Sequence, residues 1–122
     1  MAIEFEYSID GNNFRGKASG FDESLTDTMK YSFTVVRLCI KHRCDRILLD
    51  ELELDYKLSP ASTYKLVKSV VAIVPELAWI AIVTNPKNFE DAAFFENTAV
   101  NRGLQIRFFQ DVDEAEAWLA EK

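Results

Sequence analysis

The sequence has few of the residues that mark a disulfide-rich, collagen-like or disordered chain. Its 122 residues include only two cysteines, four glycines and three prolines. With 48% hydrophobic and 12% aromatic residues, the chain can bury a hydrophobic core, which disordered segments cannot do. Because this length suits one core, we expect a single domain that spans residues 1–122.

Signals for a membrane or a nucleic acid are also missing. No stretch approaches the run of about eighteen apolar residues that a membrane span needs, and the segment from Met1 to Glu6 does not resemble a signal peptide. The net charge of −6 disfavours nucleic acid, which requires a basic surface. The sequence predicts a cytoplasmic protein with no membrane span, no nucleic-acid partner and free thiols at Cys39 and Cys44.

The sequence contains none of the common catalytic or phosphate-binding motifs. Its single histidine, His42, lies near Cys39 and Cys44, but zinc sites usually need four ligands in recognisable pairs. The carboxylates that begin at Asp50 lack the glycine of a calcium loop. We therefore predict no catalytic residue, no metal site and no cofactor, and a protein that is not an enzyme.

The pattern of hydrophobic residues predicts alternating strands and helices. Residues 3–9 alternate between apolar and polar, a turn signal follows at 10–13, and residues 14–19 return as a second strand. The first helix is predicted to start at a cap on Asp22 or Ser24 and to end at 43. Further helices are predicted at 60–74, 87–101 and 111–119, and further strands at 47–49, 79–84 and 104–109. The order ββαβαβαβα predicts an α/β fold whose mostly parallel central sheet is packed by helices.

The chain resembles the STAS domains, specifically the SpoIIAA-like group of anti-sigma-factor antagonists and its small stand-alone bacterial members. The resemblance lies in the opening hairpin, the strand end at Leu49–Asp50, the serine that opens the next helix, and the closing segment Asp113–Leu119. It implies a SpoIIAA-like fold and a regulatory module that binds another protein.

The resemblance also implies a phospho-acceptor. In sporulation-type members a partner kinase phosphorylates a serine at the start of the second helix, and Ser59 occupies that position here. The family pattern Asp-Ser-Ser-Gly is replaced by Leu-Ser-Pro-Ala at 58–61. The residues themselves offer a structural interpretation as well, because Ser59 followed by Pro60 is a typical helix N-cap.

The strand-to-helix turn from Asp50 to Ser62 is the predicted working surface. Thr84 and Asn85 end the next predicted strand, and the carboxyl ends of parallel strands meet at one edge of a sheet. We expect these two residues to lie beside the turn.

The turn itself shows an alternation that has more than one interpretation. Apolar and charged residues alternate from 51 to 58, which predicts an extended segment with one apolar face and a solvated acidic rim. The apolar residues are Leu52, Leu54, Tyr56 and Leu58. They could cover the core, or Leu52, Leu54 and Tyr56 could close a cleft that carries a small apolar, lipid-like ligand.

The third predicted helix has an unusual number of phenylalanines. Residues 89, 92, 93 and 96 form one helical row, which predicts that Phe94 lies outside the buried face. An exposed Phe94 could line a cleft or contact a second copy in a homodimer.

Asp50 and Thr84 also fit a second family. They match the phosphorylated aspartate and the threonine of response-regulator receivers, but the acidic pair after the first strand and the lysine after the fifth are missing. A degenerate receiver therefore remains a minor alternative.

Overall fold

A computed structural model of the chain describes residues 3–22 and 24–122. Its elements follow the order expected from the sequence. They are β1 Ile3–Asp10, β2 Asn13–Asp22, α1 Leu25–Lys41, β3 Arg46–Tyr56, α2 Pro60–Val71, β4 Trp79–Thr84, a 3-10 turn Pro86–Asn88, α3 Phe89–Asn101, β5 Gln105–Phe109 and α4 Val112–Ala120. The predicted α/β fold is confirmed.

The five strands form one sheet in the order β1-β2-β3-β4-β5. β1 and β2 are antiparallel and form the predicted hairpin, whose turn contains Gly11 at a φ of +60°. All other neighbouring pairs are parallel. A receiver carries an acidic pair after its first strand, where this chain makes a hairpin, so the fold does not support the receiver alternative.

Helices cover both faces of the sheet. Helices α1, α2 and α3 pack on one face against a core that includes Ile47, Leu49, Ile80 and Ile82. Helix α4 packs on the other face against a smaller cluster that includes Leu48. Alternate residues of β3 therefore serve opposite cores, which explains why this part of the strand is apolar at every position.

A glycine in β2 makes room for an aromatic cluster on the α1 face. A Cβ added at Gly16 would lie 2.7 Å from a ring carbon of Phe5. With glycine there, the ring of Phe5 packs against Phe14 and meets Tyr31 of α1 edge-to-face, with centroids 5.3 Å apart. The cluster fixes the part of α1 that carries Tyr31.

β3 is longer than expected and contains a β-bulge. Its pairing with β2 shifts between Lys17↔Asp50 and Ser19↔Glu53, so β3 has one residue more than its partner. The extra residue ends the strict alternation predicted for 51–58. Glu51, expected on the solvated rim, is only 5% exposed.

Candidate functional site

β3 continues past the end of β4 at the carboxyl edge of the sheet. The pairing of the two strands stops at Glu51↔Thr84, and side-chain amides then take the place of a strand. The Nδ2 group of Asn88 donates to the carbonyl of Leu54 at 2.8 Å, and its Oδ1 accepts from the N–H of Tyr56 at 3.2 Å. These bonds satisfy backbone groups of β3 that β4 is too short to reach.

Two residues of the predicted working surface hold this arrangement in place. Asn85 donates from Nδ2 to the carbonyl of Leu52 at 3.4 Å. Thr84 accepts a hydrogen bond from Asn88 at 3.3 Å and is 4% exposed. Thr84 therefore supports the site from the interior and is not available to a partner at the surface.

The turn before α2 has the expected cap. The side chain of Ser59 accepts a hydrogen bond from the N–H of Ser62 at 3.1 Å, and Pro60 is the first residue of the helix. Ser59 is exposed, and Ser62 is half-buried. The hydroxyl of Ser59 is therefore both a structural cap and accessible to solvent.

The bulge divides the remaining predicted surface residues between the two faces of the sheet. Asp50 lies on the α4 side, near Leu48 and Val112, and its carboxylate accepts from the N–H of Leu52 at 3.1 Å. Leu52 packs against the α4 core, whereas Leu54 and Tyr56 pack on the opposite side. The expectation that Leu52, Leu54 and Tyr56 share one face is wrong, because the extra residue reverses the alternation.

The phenylalanines of α3 are distributed differently from the predicted row. Phe94 is exposed, as expected, and Phe95 points inward and meets Phe108 edge-to-face with centroids 5.6 Å apart. Phe89, which belonged to the expected buried row, is 63% exposed. It is the first residue of α3, directly after the 3-10 turn, so it lies at the end of the sheet.

The most unusual residue at this edge is Glu51, which the sequence did not single out. Its carboxylate is buried and accepts two hydrogen bonds, one from the hydroxyl of Tyr31 at 2.6 Å and one from the hydroxyl of Tyr56. Burial raises the pKa of Glu51; the two tyrosine hydrogen bonds oppose this rise, and the charge of Asp50 adds to it. A buried carboxyl group with a perturbed pKa is a typical feature of functional sites.

Glu51 faces a cavity between the sheet and helices α1, α2 and α3. The cavity has a volume of about 100 Å³ and is lined mainly by apolar side chains. Tyr31, Glu51 and Tyr56 line one end, and Leu54 and Leu58 contribute to its wall. A cavity therefore does lie beneath residues 50–58, although Leu52 takes no part in it.

The cysteines lie elsewhere and have the character of core residues. Cys39 and Cys44 are buried free thiols. Burial raises the pKa of Cys39 to about 12, which keeps this thiol protonated and unreactive at neutral pH. Within residues 3–22 and 24–122, no group of three or more His, Cys, Asp or Glu side chains is placed to hold a metal ion.

Comparison with known proteins shows the fold. The crystal structure of an anti-sigma factor antagonist from Mycobacterium paratuberculosis matches with a TM-score of 0.66, over 97% of this chain and 94% of that chain, at 12% sequence identity. No protein-family model and no curated protein sequence matches. The expected SpoIIAA-like architecture is therefore confirmed as a fold.

None of the helices in the described part of the chain combines the length and the apolar character that crossing a membrane requires.

Proposed function

We propose that this protein is a regulatory module that acts by binding another protein and not by catalysis. The support for this proposal is its fold, which it shares over almost the whole chain with an anti-sigma factor antagonist. The working surface in this proposal is the carboxyl edge of the sheet, from Asp50 to Ser62 with Asn85. Exposed residues of the turn, Ser59 and Pro60, are available there for contact.

The strongest structural support for a binding surface at this edge is an exposed aromatic residue. Phe89 opens α3 immediately after the turn at Asn85, and 63% of it is exposed. Aromatic residues that are exposed on one partner and buried in a complex contribute much of the binding energy of protein interfaces. Phe94, also exposed on α3, lies about 140° around the helix from Phe89 and offers a separate apolar contact for a partner protein or a second copy of the chain.

Site-specific photo-crosslinking tests this assignment. A photo-reactive amino acid in place of Phe89 should give one discrete crosslinked protein in cells. The matched control is the same substitution at Leu77, which is 79% exposed and precedes β4, at the opposite edge of the sheet. Crosslinks at Leu77 equal to those at Phe89, or none at Phe89, would contradict the proposed surface.

We further propose Ser59 as the phospho-acceptor of this surface. The hydroxyl is exposed at the first turn of α2, where a phosphate would meet free N–H groups and the positive end of the helix dipole. Mass spectrometry of the protein isolated from its own cells tests this role. A peptide containing Ser59 that stays unmodified under every growth condition would remove it.

The cavity favours a second candidate function, the carriage or sensing of a small apolar molecule. Its walls are apolar and it lies beneath the turn that forms the proposed working surface. Occupation of the cavity would change the packing of Leu54 and Tyr56, so a ligand could alter partner binding. Native mass spectrometry of the purified protein tests this function, and a retained apolar molecule is the expected result.

A further inference from the structure

The cavity is small enough to select among apolar ligands. It extends along β3 from Glu51 to Ile47, a distance of about 13 Å at the usual rise of a strand, and reaches Val74 and Leu104 at its far end. Its volume of about 100 Å³ is smaller than the ~150 Å³ of an engineered cavity that accepts benzene. A space of this small volume suits a slender unbranched chain better than a ring.

The charges along the cavity are all of one sign. Among the described residues that line it, Glu51 and Asp91 are the charged ones, and no lysine, arginine or histidine joins them. The ion pairs within the described part of the chain do not include Glu51 either. A carboxylate buried without a cation is costly, so a positively charged ligand would relieve that cost, whereas an anionic ligand would add to it.

The environment of Glu51 leaves room for such a ligand. Each carboxylate oxygen accepts one tyrosine hydrogen bond, and a carboxylate offers about four acceptor positions in total. The rings of Tyr31 and Tyr56 lie beside Glu51 at this end of the cavity, and aromatic faces attract cations.

We propose that the cavity binds a small amphipathic amine, whose ammonium group lies on the carboxylate of Glu51 and whose unbranched alkyl chain lies along the apolar walls. This inference rests on the second candidate function and specifies the ligand class. It also assigns Glu51 as the anchor of the ligand.

Calorimetric titration of the full chain with three probes of equal chain length tests the inference. n-Hexylamine, n-hexanol and n-hexanoate differ in the charge of the polar end. At neutral pH we expect hexylamine to bind on the order of tenfold more tightly than hexanol, because the ammonium group compensates the buried negative charge of Glu51 and a hydroxyl does not. We expect hexanoate to bind most weakly.

Two glutamine variants then separate the anchor from the surface charge. Glu51→Gln should remove the preference for the amine, so that hexylamine and hexanol bind with similar affinity. Glu53→Gln is the matched control, since it removes an exposed carboxylate of the same strand that pairs with Lys17, and it should keep the full preference. A preference that survives Glu51→Gln would overturn the assignment of Glu51 while leaving the cavity as an apolar binding site.

NMR on the unmodified protein locates the amine without any variant. Hexylamine should shift the amide signals of Glu51, Tyr31 and Tyr56. Shifts confined to exposed acidic residues would overturn the inference, because they would indicate adsorption to a negatively charged surface. Failure of all three probes to bind would contradict both this inference and the second candidate function, but not the proposed protein-binding role.

Discussion

The two halves of β3 contrast sharply. The first half, Arg46–Asp50, pairs with a strand on each side, and its apolar residues serve cores on both faces. The second half, Glu51–Tyr56, pairs with β2 on one side. On the other side the pairing with β4 ends at Glu51, and the side chains of Asn85 and Asn88 replace the strand from Leu52 onward. It also carries a buried acid. The surface and the cavity for which we propose functions therefore begin where regular strand pairing ends.

The largest expected change in stability distinguishes the two faces of β3 between Glu51 and Tyr56. Leu54→Ala should lower the free energy of unfolding by about 3 kcal/mol, because Leu54 is 1% exposed and truncation leaves a cavity. Leu52→Ala should cost about 1 kcal/mol, since Leu52 is half-buried. Urea unfolding measures both. Equal losses would mean that the two leucines share one environment, contrary to the bulge.

The next effect tests the buried acid against its neighbour. Glu51→Gln should raise the free energy of unfolding at pH 7 by on the order of 1 kcal/mol, because it removes a buried charge. Its amide can still pair with both tyrosine hydroxyls, accepting from one through its oxygen and donating to the other through its nitrogen. Asp50→Asn, one position earlier and half-buried, should change stability by less than about 0.5 kcal/mol. Thermal unfolding of the three proteins in one buffer gives both numbers.

The difference in stability between Glu51→Gln and the unmodified protein should depend on pH, and the sign of that dependence follows from the pKa of Glu51. The pKa of Glu51 is raised above its ordinary value of 4.5 in the folded state. At a pH between the ordinary pKa and the raised folded-state pKa, the folded protein binds more protons than the unfolded chain. The free energy of unfolding therefore falls as the pH rises from the first pKa to the second. The advantage of Glu51→Gln should therefore grow as the pH rises from 4.5. An advantage that is greatest in acid would contradict the raised pKa.

The last prediction concerns a local effect and asks whether the second half of β3 depends on the turn that follows it. Ser59→Ala should cost about 1 kcal/mol through loss of the cap on α2. Hydrogen exchange should accelerate at the amides of the first turn of α2 and stay unchanged at Tyr56, whose N–H is held by Asn88.

The matched control is Ser62→Ala, because Ser62 contributes its backbone N–H and not its hydroxyl to the cap. Faster exchange at Tyr56 in the Ser59 variant would show that the turn, rather than Asn88, holds the end of the strand.

Much of this fold follows from local sequence signals. The predicted β4, residues 79–84, matches the observed bounds, and α2 starts where Ser59 and Pro60 predict it. The hairpin was likewise indicated by its turn residues. These elements depend on periodicity and capping, which act over a few neighbouring residues.

The candidate site was harder to predict because it depends on register. A single extra residue between Asp50 and Glu53 moves Glu51 into the interior and Leu52 to the α4 face, and nothing in the composition of the segment marks that bulge. The position of Phe89 was missed for a related reason. The 3-10 turn delays the start of α3. Phe89 is therefore the first residue of the helix and does not lie over the sheet.

A carboxyl-carbon NMR titration of Glu51 tests the account most directly, since everything proposed for the cavity requires this side chain to be buried. The account predicts a titration midpoint above 4.5, and coupling of the titration to the hydroxyl environments of Tyr31 and Tyr56. A midpoint at or below 4.5, with no response from either tyrosine, would place Glu51 in solvent and contradict the account.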